Sequence, residues 1–179
     1  KLATLVAPRL IAAEPGIPLP DHPAQVLASD LSAWARLAPA TLHLGDPDRE
    51  AYVVFTSGTS GTPMAVSHAH RAILARQAMH THWEGLAETD RLLHAGALNW
   101  TYTLGTGLLD PWTVGATALI PAAGTPPAAL PALLQRSQAT ILAAAPGVYR
   151  QLLRAELPPL PALRHGLSAG EALPHALRE

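Results

Sequence analysis

Five of the seven residues from Thr56 to Thr62, TSGTSGT, carry hydroxyls, and the other two are glycines. Thr56, Ser57, Thr59, Ser60 and Thr62 can each hydrogen-bond an anionic oxygen. Gly58 and Gly61 allow positive φ and a close approach of backbone to ligand. Successive backbone N–H groups in such a stretch form a concave anion nest, the chemistry of phosphate binding. The G-x-x-x-x-G-K-[ST] pattern of the nucleoside-triphosphatase loop is absent, and Met64 stands about where a lysine would be sought. A serine/glycine linker has the same composition and is the rival reading. The apolar AYVVF directly before the loop and a helix-length segment soon after it favour a ligand loop, because linkers rarely interrupt a β-α unit.

The elements that must position this loop are legible from residue 51 onward. AYVVF, RLLHA, ATALI, ATILAAA and LRHGLSAG read as strands; HRAILARQAMHTHW, YTLGTGLLDPW, PAALPALLQRS and PGVYRQLLRAE read as helices, the last with Pro146 near its first turn. Strands alternating with helices predict an α/β fold with a largely parallel sheet flanked by helices. Ligands of such sheets bind outside the carboxyl ends of the strands. Those ends fall at Thr56 onward, His94 to Thr101, Ala145 to Gly147 and Ser168 to Glu171. Residues 1–50 read as a leading strand near Thr4–Ala7, a proline-rich connection from Pro15 to Pro23, and a helix capped by Asp30 with Leu31, Trp34, Leu37 and Ala38 on one face. The GDPDRE turn (45–50) reads as a solvated loop, since it lacks calcium-loop spacing.

Bulk composition narrows the function classes. The 179 residues carry a net charge of −1, which gives no pull toward nucleic acid or an acidic membrane surface. Charged residues make up only 14%, so much of the chain should be buried or covered. There is no cysteine, which excludes disulfides and thiolate metal sites and fits a reducing cytoplasm. Prolines 111, 121, 126, 127 and 131 break the longest uncharged run too often for a membrane span.

Four motifs in order resemble the adenylate-forming superfamily of acyl-CoA synthetases, luciferases and peptide-synthetase adenylation domains, and within it the medium-chain and benzoate-type acyl-CoA synthetases. YVVFTSGTSGTP resembles the phosphate-loop signature. NWTYTLGTGLLDPWTVGATALI and AAAPGVYRQLL resemble the segments that line the acyl pocket, and LRHGLSAGEALP resembles the loop on the adenine ring. The resemblance covers roughly residues 51–174. It implies ATP, Mg2+ and coenzyme A as cofactors and co-substrates, and a small carboxylic acid, medium-chain or aromatic, as substrate. Thr56, Ser57, Gly58, Thr59, Ser60, Gly61 and Thr62 would cradle pyrophosphate, and Gly170, Glu171 and Ala172 would border the adenine. Trp100 would wall the acyl pocket, with Tyr102, Leu104, Gly105, Pro146 and Gly147 as further lining.

The chain departs from the family pattern in two places. Pro63-Met64-Ala65 stands where the family continues Pro-Lys-Gly, and loss of that cation would weaken pyrophosphate binding by ~1.5–3 kcal/mol unless Arg71 or another residue compensates. The aromatic-Gly-x-Thr-Glu segment, the ribose-binding aspartate and the catalytic lysine of the small C-terminal domain are not found before Glu179. The expectation is therefore an excerpt of the large N-terminal domain, residues 1–50 leading into a nucleotide- and acyl-binding portion at 51–179. Such an excerpt lacks the C-terminal domain, is incomplete for catalysis by itself, needs the missing remainder of the enzyme as partner and is able to form a homo-oligomer. A carrier-protein-loading adenylation domain and a non-catalytic nucleotide-binding relic are the alternatives.

Other chemistry-bearing residues have blander readings. His68, His70, His80 and His82 form two H-x-H pairs, but residues two apart on a helix diverge, so surface or packing roles are preferred to zinc. Trp112 reads as core, Asp110 before Pro111 as a turn or cap residue, and Glu171 outside the resemblance as an ordinary acid ahead of Pro174.

Overall fold

The structure is a computed structural model that describes residues 6–13, 15–21, 25–27, 34–56 and 64–177. It divides into two compact units. One comprises Lys1–Asp46 with Ser57–Ala65, the other Pro47–Thr56 with Val66–Glu179. In the first unit, strands β1 (Ile11–Ala13) and β2 (Gln25–Leu27) pair in parallel. The expected strand at Thr4–Ala7 and the helix from Asp30 fall mostly outside the described residues; Trp34 and Leu37, two members of that helix's apolar face, are exposed.

The second unit is built on a four-stranded parallel sheet in the order β6 (Thr117–Leu119), β5 (Arg91–His94), β7 (Ile141–Ala144), β8 (His165–Ser168). All four residues of β7 are buried, the continuous apolar run of a strand covered on both faces. One side of the core gathers Leu92, Ile141, Ala143 and Leu167, and the other gathers Leu93, Leu130, Leu134, Leu142 and Leu152. Each fully buried leucine contributes about 1.5–3 kcal/mol relative to exposure.

The helices follow their sequence signals. Helix α1 (His70–Ala75) and the short α2 (Gln77–Met79) run into a π-helical turn at His80–Glu84, closed by Gly85 at φ 57°. Helix α3 (Thr101–Leu104) passes into a second π-helical turn, Gly105–Leu109, and then into α4 (Asp110–Val114), closed by Gly115 at φ 81°. Helix α5 (Leu130–Ser137) carries Pro131 in its first turn and ends on Gln138 at φ 50°. Its Leu130 and Leu134, one turn apart, face the core. Helix α6 (Pro146–Leu152) follows β7 directly, and Tyr149 donates its hydroxyl to the carbonyls of Leu142 and Leu167, at 2.8 and 3.0 Å.

Two expectations change. The loop after AYVVF does not lead straight to a helix: a further strand, β4 (Met64–Ala69), pairs with β3 (Glu50–Thr56) in a separate two-stranded sheet. Ser67 Oγ donates to Glu50 at 2.6 Å and the His68 ring stacks on Tyr52 at 4.8 Å. MAVSHA shows no clear apolar alternation and four of its residues are exposed, so cross-strand partners rather than its own pattern make it a strand. Trp112 is not core. It is 64% exposed, because α4 turns Asp110 and Pro111 inward instead.

Candidate active site

The parallel register brings three of the expected strand ends side by side. His94 lies opposite Ala143, and Ala144 lies opposite Ser168, so β5, β7 and β8 finish along one edge of the sheet. Thr56 ends β3 in the separate sheet, and Ser57, Gly58, Thr59, Ser60, Gly61 and Thr62 lie outside the described residues. Met64 opens β4 with its side chain exposed. Arg71, the compensating cation considered above, is paired with Asp48 at 2.9 Å.

Beyond β5, the chain delivers Trp100 and Tyr102 to this edge. Trp100 is extended at the N-cap of α3, and its ring meets Tyr102 edge-on at 5.3 Å. Tyr102 in turn meets His94 edge-on at 4.5 Å and Trp83 at 6.2 Å. Gly170, just past β8, sits at φ 102°, and a Cβ there would come within 2.9 Å of Trp100 Cη2. Only glycine gives the indole that space and that backbone conformation. Trp100 and Gly170, separated by 70 residues, are thus in contact. Glu171 and Ala172 follow, exposed, with Glu171 3.9 Å from Arg150. Pro146 is buried, whereas a Cβ on Gly147 would meet nothing within 4 Å, so open space lies beside it. Leu104 is half-buried and donates its N–H to the Trp100 carbonyl, tightening the first turn of α3. Gly105 faces the Arg76 guanidinium: a Cβ would fall 2.4 Å from Arg76 Cζ.

Several buried polar atoms at this edge lack partners among the described residues: both ring nitrogens of His94, Tyr102 Oη, Thr103 Oγ1 and Ser168 Oγ. Burial lowers the His94 imidazole to about 4, so it is neutral at pH 7 and offers one donor and one acceptor. Burial likewise pushes the Tyr102 phenol up, keeping it protonated. The arrangement is an aromatic wall with uncharged hydrogen-bonding groups behind it, suited to a planar apolar ligand with polar substituents.

Sequence reading missed a buried charged cluster behind that wall. Arg76 donates from Nε to Asp110 Oδ1 at 2.8 Å, from Nη2 to the other Asp110 oxygen, and from Nη2 to Thr106 Oγ1 at 3.0 Å. Asp110, expected as a turn or cap residue, does open α4, but it is fully buried and its carboxylate is turned to Arg76. Burial works to raise its carboxyl, but the bonds from Arg76 outweigh that and hold it low. Glu84, also fully buried, is pushed up to about 8 by burial, with Asp110 beside it adding to the effect. His80, Glu84 and Asp110 have ligand-type atoms within 4.8 Å of one another. The Arg76 guanidinium already supplies the counter-charge there. His80 and His82 diverge, His80 buried toward Asp110 and His82 exposed, while His68 stacks on Tyr52 and His70 opens α1. The spacing of Tyr102, Thr106 and Asp110 by four was the available signal, since it puts them on one helical stripe.

A cavity of about 280 Å³ between the end of α5 and residues 159–163 lies at the opposite, amino edge of the sheet, beside Ala139 ahead of β7. It is not the strand-end site.

The family model described as "AMP-binding enzyme" matches residues 8–179. The chain belongs to that family. Among relatives of this AMP-binding enzyme chain is a 3-hydroxybenzoate–CoA/4-hydroxybenzoate–CoA ligase of Thauera aromatica, 37% identical over 132 residues, which are 72% of this chain and 25% of the relative. Among solved structures, the anthranilate CoA ligase AuaEII in complex with anthranoyl-AMP has a TM-score of 0.70 and 28% identity, over 94% of this chain and 32% of that one. A benzoate CoA ligase from Burkholderia xenovorans LB400 has a TM-score of 0.68 and 31% identity, over 80% and 29%. The chain therefore spans about a quarter to a third of the length of these relatives. Their α/β fold with its parallel sheet is the one found here. Among the described residues no helix is long and apolar enough to cross a membrane.

Proposed function

We propose that the full-length protein activates an aromatic carboxylic acid with ATP and transfers the acyl group to coenzyme A. The observation that carries this reading is the Trp100–Gly170 contact. It joins the segment assigned to the acid to the segment assigned to adenine at one strand-end edge. In the first step a carboxylate oxygen of the acid attacks the α-phosphorus of ATP and pyrophosphate leaves. In the second, the thiolate sulfur of coenzyme A attacks the acyl carbon, and AMP leaves with the electron pair of the broken C–O bond.

Such chemistry needs positioning and charge stabilisation rather than a protein nucleophile. Thr56 and the hydroxyl-rich residues Ser57–Thr62 are assigned to pyrophosphate, with Mg2+ accompanying the nucleotide as substrate. Gly170, Glu171 and Ala172 are assigned to the adenine. Trp100 and Tyr102 wall the acid, with Leu104, Gly105, Pro146 and Gly147 around them. Two features favour an aromatic over a medium-chain acid: the wall of edge-on and tilted aromatic rings, and the hydroxybenzoate, benzoate and anthranilate ligases among the relatives. The reaction partners are small molecules, and a cytoplasmic setting supplies all of them.

Incubating the full-length protein with ATP, Mg2+, coenzyme A and a benzoate-type acid should yield the corresponding acyl-CoA, read by mass. Trapping of the activated acid by hydroxylamine without acyl-CoA would retain activation and overturn coenzyme A as acceptor, in favour of a carrier-protein thiol.

A further inference from the structure

We propose that Arg76 is a positioning residue for the acid pocket, acting through the Asp110–Thr106 stripe to fix where Trp100 and Tyr102 stand. Arg76 follows α1, and its side chain, 18% exposed, crosses to the segment that carries the aromatic pair. Its three hydrogen bonds end on Thr106 and Asp110, both fully buried. Tyr102 lies one and two turns before these acceptors on the same stripe. The guanidinium fits because residue 105 is glycine; any Cβ there would overlap Cζ and both Nη atoms, all within 2.7 Å. That close approach falls where α3 passes into its π-helical turn. The π-helical turn at His80–Glu84 faces the same cluster, with His80 Nε2 3.4 Å from Asp110 Oδ1. Such turns re-aim side chains within a helix and recur at functional sites. Trp83, inside the first π turn, touches Tyr102.

Arg76, between α1 and α2, therefore ties the segment leading into the first irregular turn to the second one; Trp83 stands in the first turn, and Trp100 and Tyr102 stand on the helix that enters the second. Arg76 touches no substrate in this arrangement. Its effect on the acid is exerted through the placement of Trp100 and Tyr102, and so should not extend to the nucleotide. The inference rests on the assignment of those two residues to the acid pocket.

The test compares Arg76→Met, Arg76→Lys and Thr106→Val with the wild type in the full-length enzyme. Steady-state KM for the acid and for ATP are measured, together with near-ultraviolet circular dichroism. Arg76→Met should raise the acid KM about tenfold while leaving ATP KM within about twofold, because small misplacement of a positioning group is costly. Arg76→Lys should recover only part, since an ammonium cannot bridge both Asp110 oxygens. Thr106→Val removes one acceptor without stranding a buried charge, so it keeps the test open if Arg76→Met does not fold; it should raise the acid KM in the same selective way, by about threefold. All three should alter the aromatic dichroism. An unchanged acid KM in folded Arg76→Met or Thr106→Val, or equal rises in both KM values, overturns the inference. If the wild type uses no acid at all, the functional reading fails instead. The dichroism then still decides the structural part, and an unaltered aromatic signal in the variants overturns it.

Discussion

Replacing Asp90 by alanine should cost about 2–4 kcal/mol of unfolding free energy, from the loss of several hydrogen bonds to one buried carboxylate. Asp90 is 3% exposed and ties together three parts of the chain at the amino edge of the sheet. Arg164, just before β8, donates to it from Nε at 3.0 Å and from Nη2 at 2.5 Å. Thr140, just before β7, donates its hydroxyl at 2.7 Å, and the Ala87 N–H donates at 2.8 Å. Burial works to raise the Asp90 carboxyl, but these donors prevail and hold it below its ordinary value of 3.8. Alanine would remove the acceptor of the part-buried Thr140 hydroxyl and of the Ala87 N–H, whereas Arg164, about half exposed, can turn to water. The expected loss is therefore smaller than for breaking a fully buried ion pair. Urea unfolding of wild type and variant measures the difference; a loss under about 1 kcal/mol would mean that water replaces the carboxylate. Because Asp90 lies at the edge opposite the strand-end site, variant protein that remains folded should keep its KM values.

The second large effect is a pH dependence carried by His94. Its imidazole is held at about 4 in the folded protein against an ordinary 6.5. Between those values the unfolded chain binds the proton and the folded one does not. The contribution is therefore complete above pH 6.5 and falls by about 1.4 kcal/mol per pH unit as pH drops, about 3 kcal/mol in all by pH 4. Glu84 acts in the opposite sense. With its folded value raised to about 8, it favours the folded state increasingly as pH falls from 8 toward 4.5. The wild-type profile is the sum of these opposed slopes, so the informative quantity is the difference between His94→Phe and wild type. Phenylalanine keeps the edge-on contact with Tyr102 and removes the titration. The stability of the variant relative to wild type should rise by about 3 kcal/mol between pH 6.5 and pH 4. A difference that stays flat across that window would mean that His94 is hydrated in the folded state.

The fold of residues 91–168 was legible because each element there satisfies its own local rule. ILAA is a buried central strand by composition alone, and Pro146 marks a helix start that the structure keeps. Strand β4 was not legible, because Met64–Ala69 has no pattern of its own and is defined by Glu50 and Tyr52 across from it. Trp100 and Tyr102 were named through the resemblance, and their rings do meet near the end of β5; nothing in the local pattern of the chain had placed Tyr102 there. The Arg76–Asp110 pair was not. The four-residue spacing of Tyr102, Thr106 and Asp110 marks a stripe but not its partner 34 residues away, and Asp-Pro at a helix start reads equally as a turn or cap. Trp112 was misplaced for the matching reason: the residues turned inward at that point are Asp110 and Pro111, which hydrophobicity alone would send outward.

The central claim is acid activation with an aromatic preference, and acid-dependent exchange of labelled pyrophosphate into ATP tests it most directly. Measured on the full-length protein across benzoate, hydroxybenzoates, 2-aminobenzoate and straight-chain acids of six to ten carbons, exchange should depend on added acid and be fastest with a member of the aromatic set. No exchange with any acid of the panel, or exchange confined to the straight-chain acids, would contradict the account.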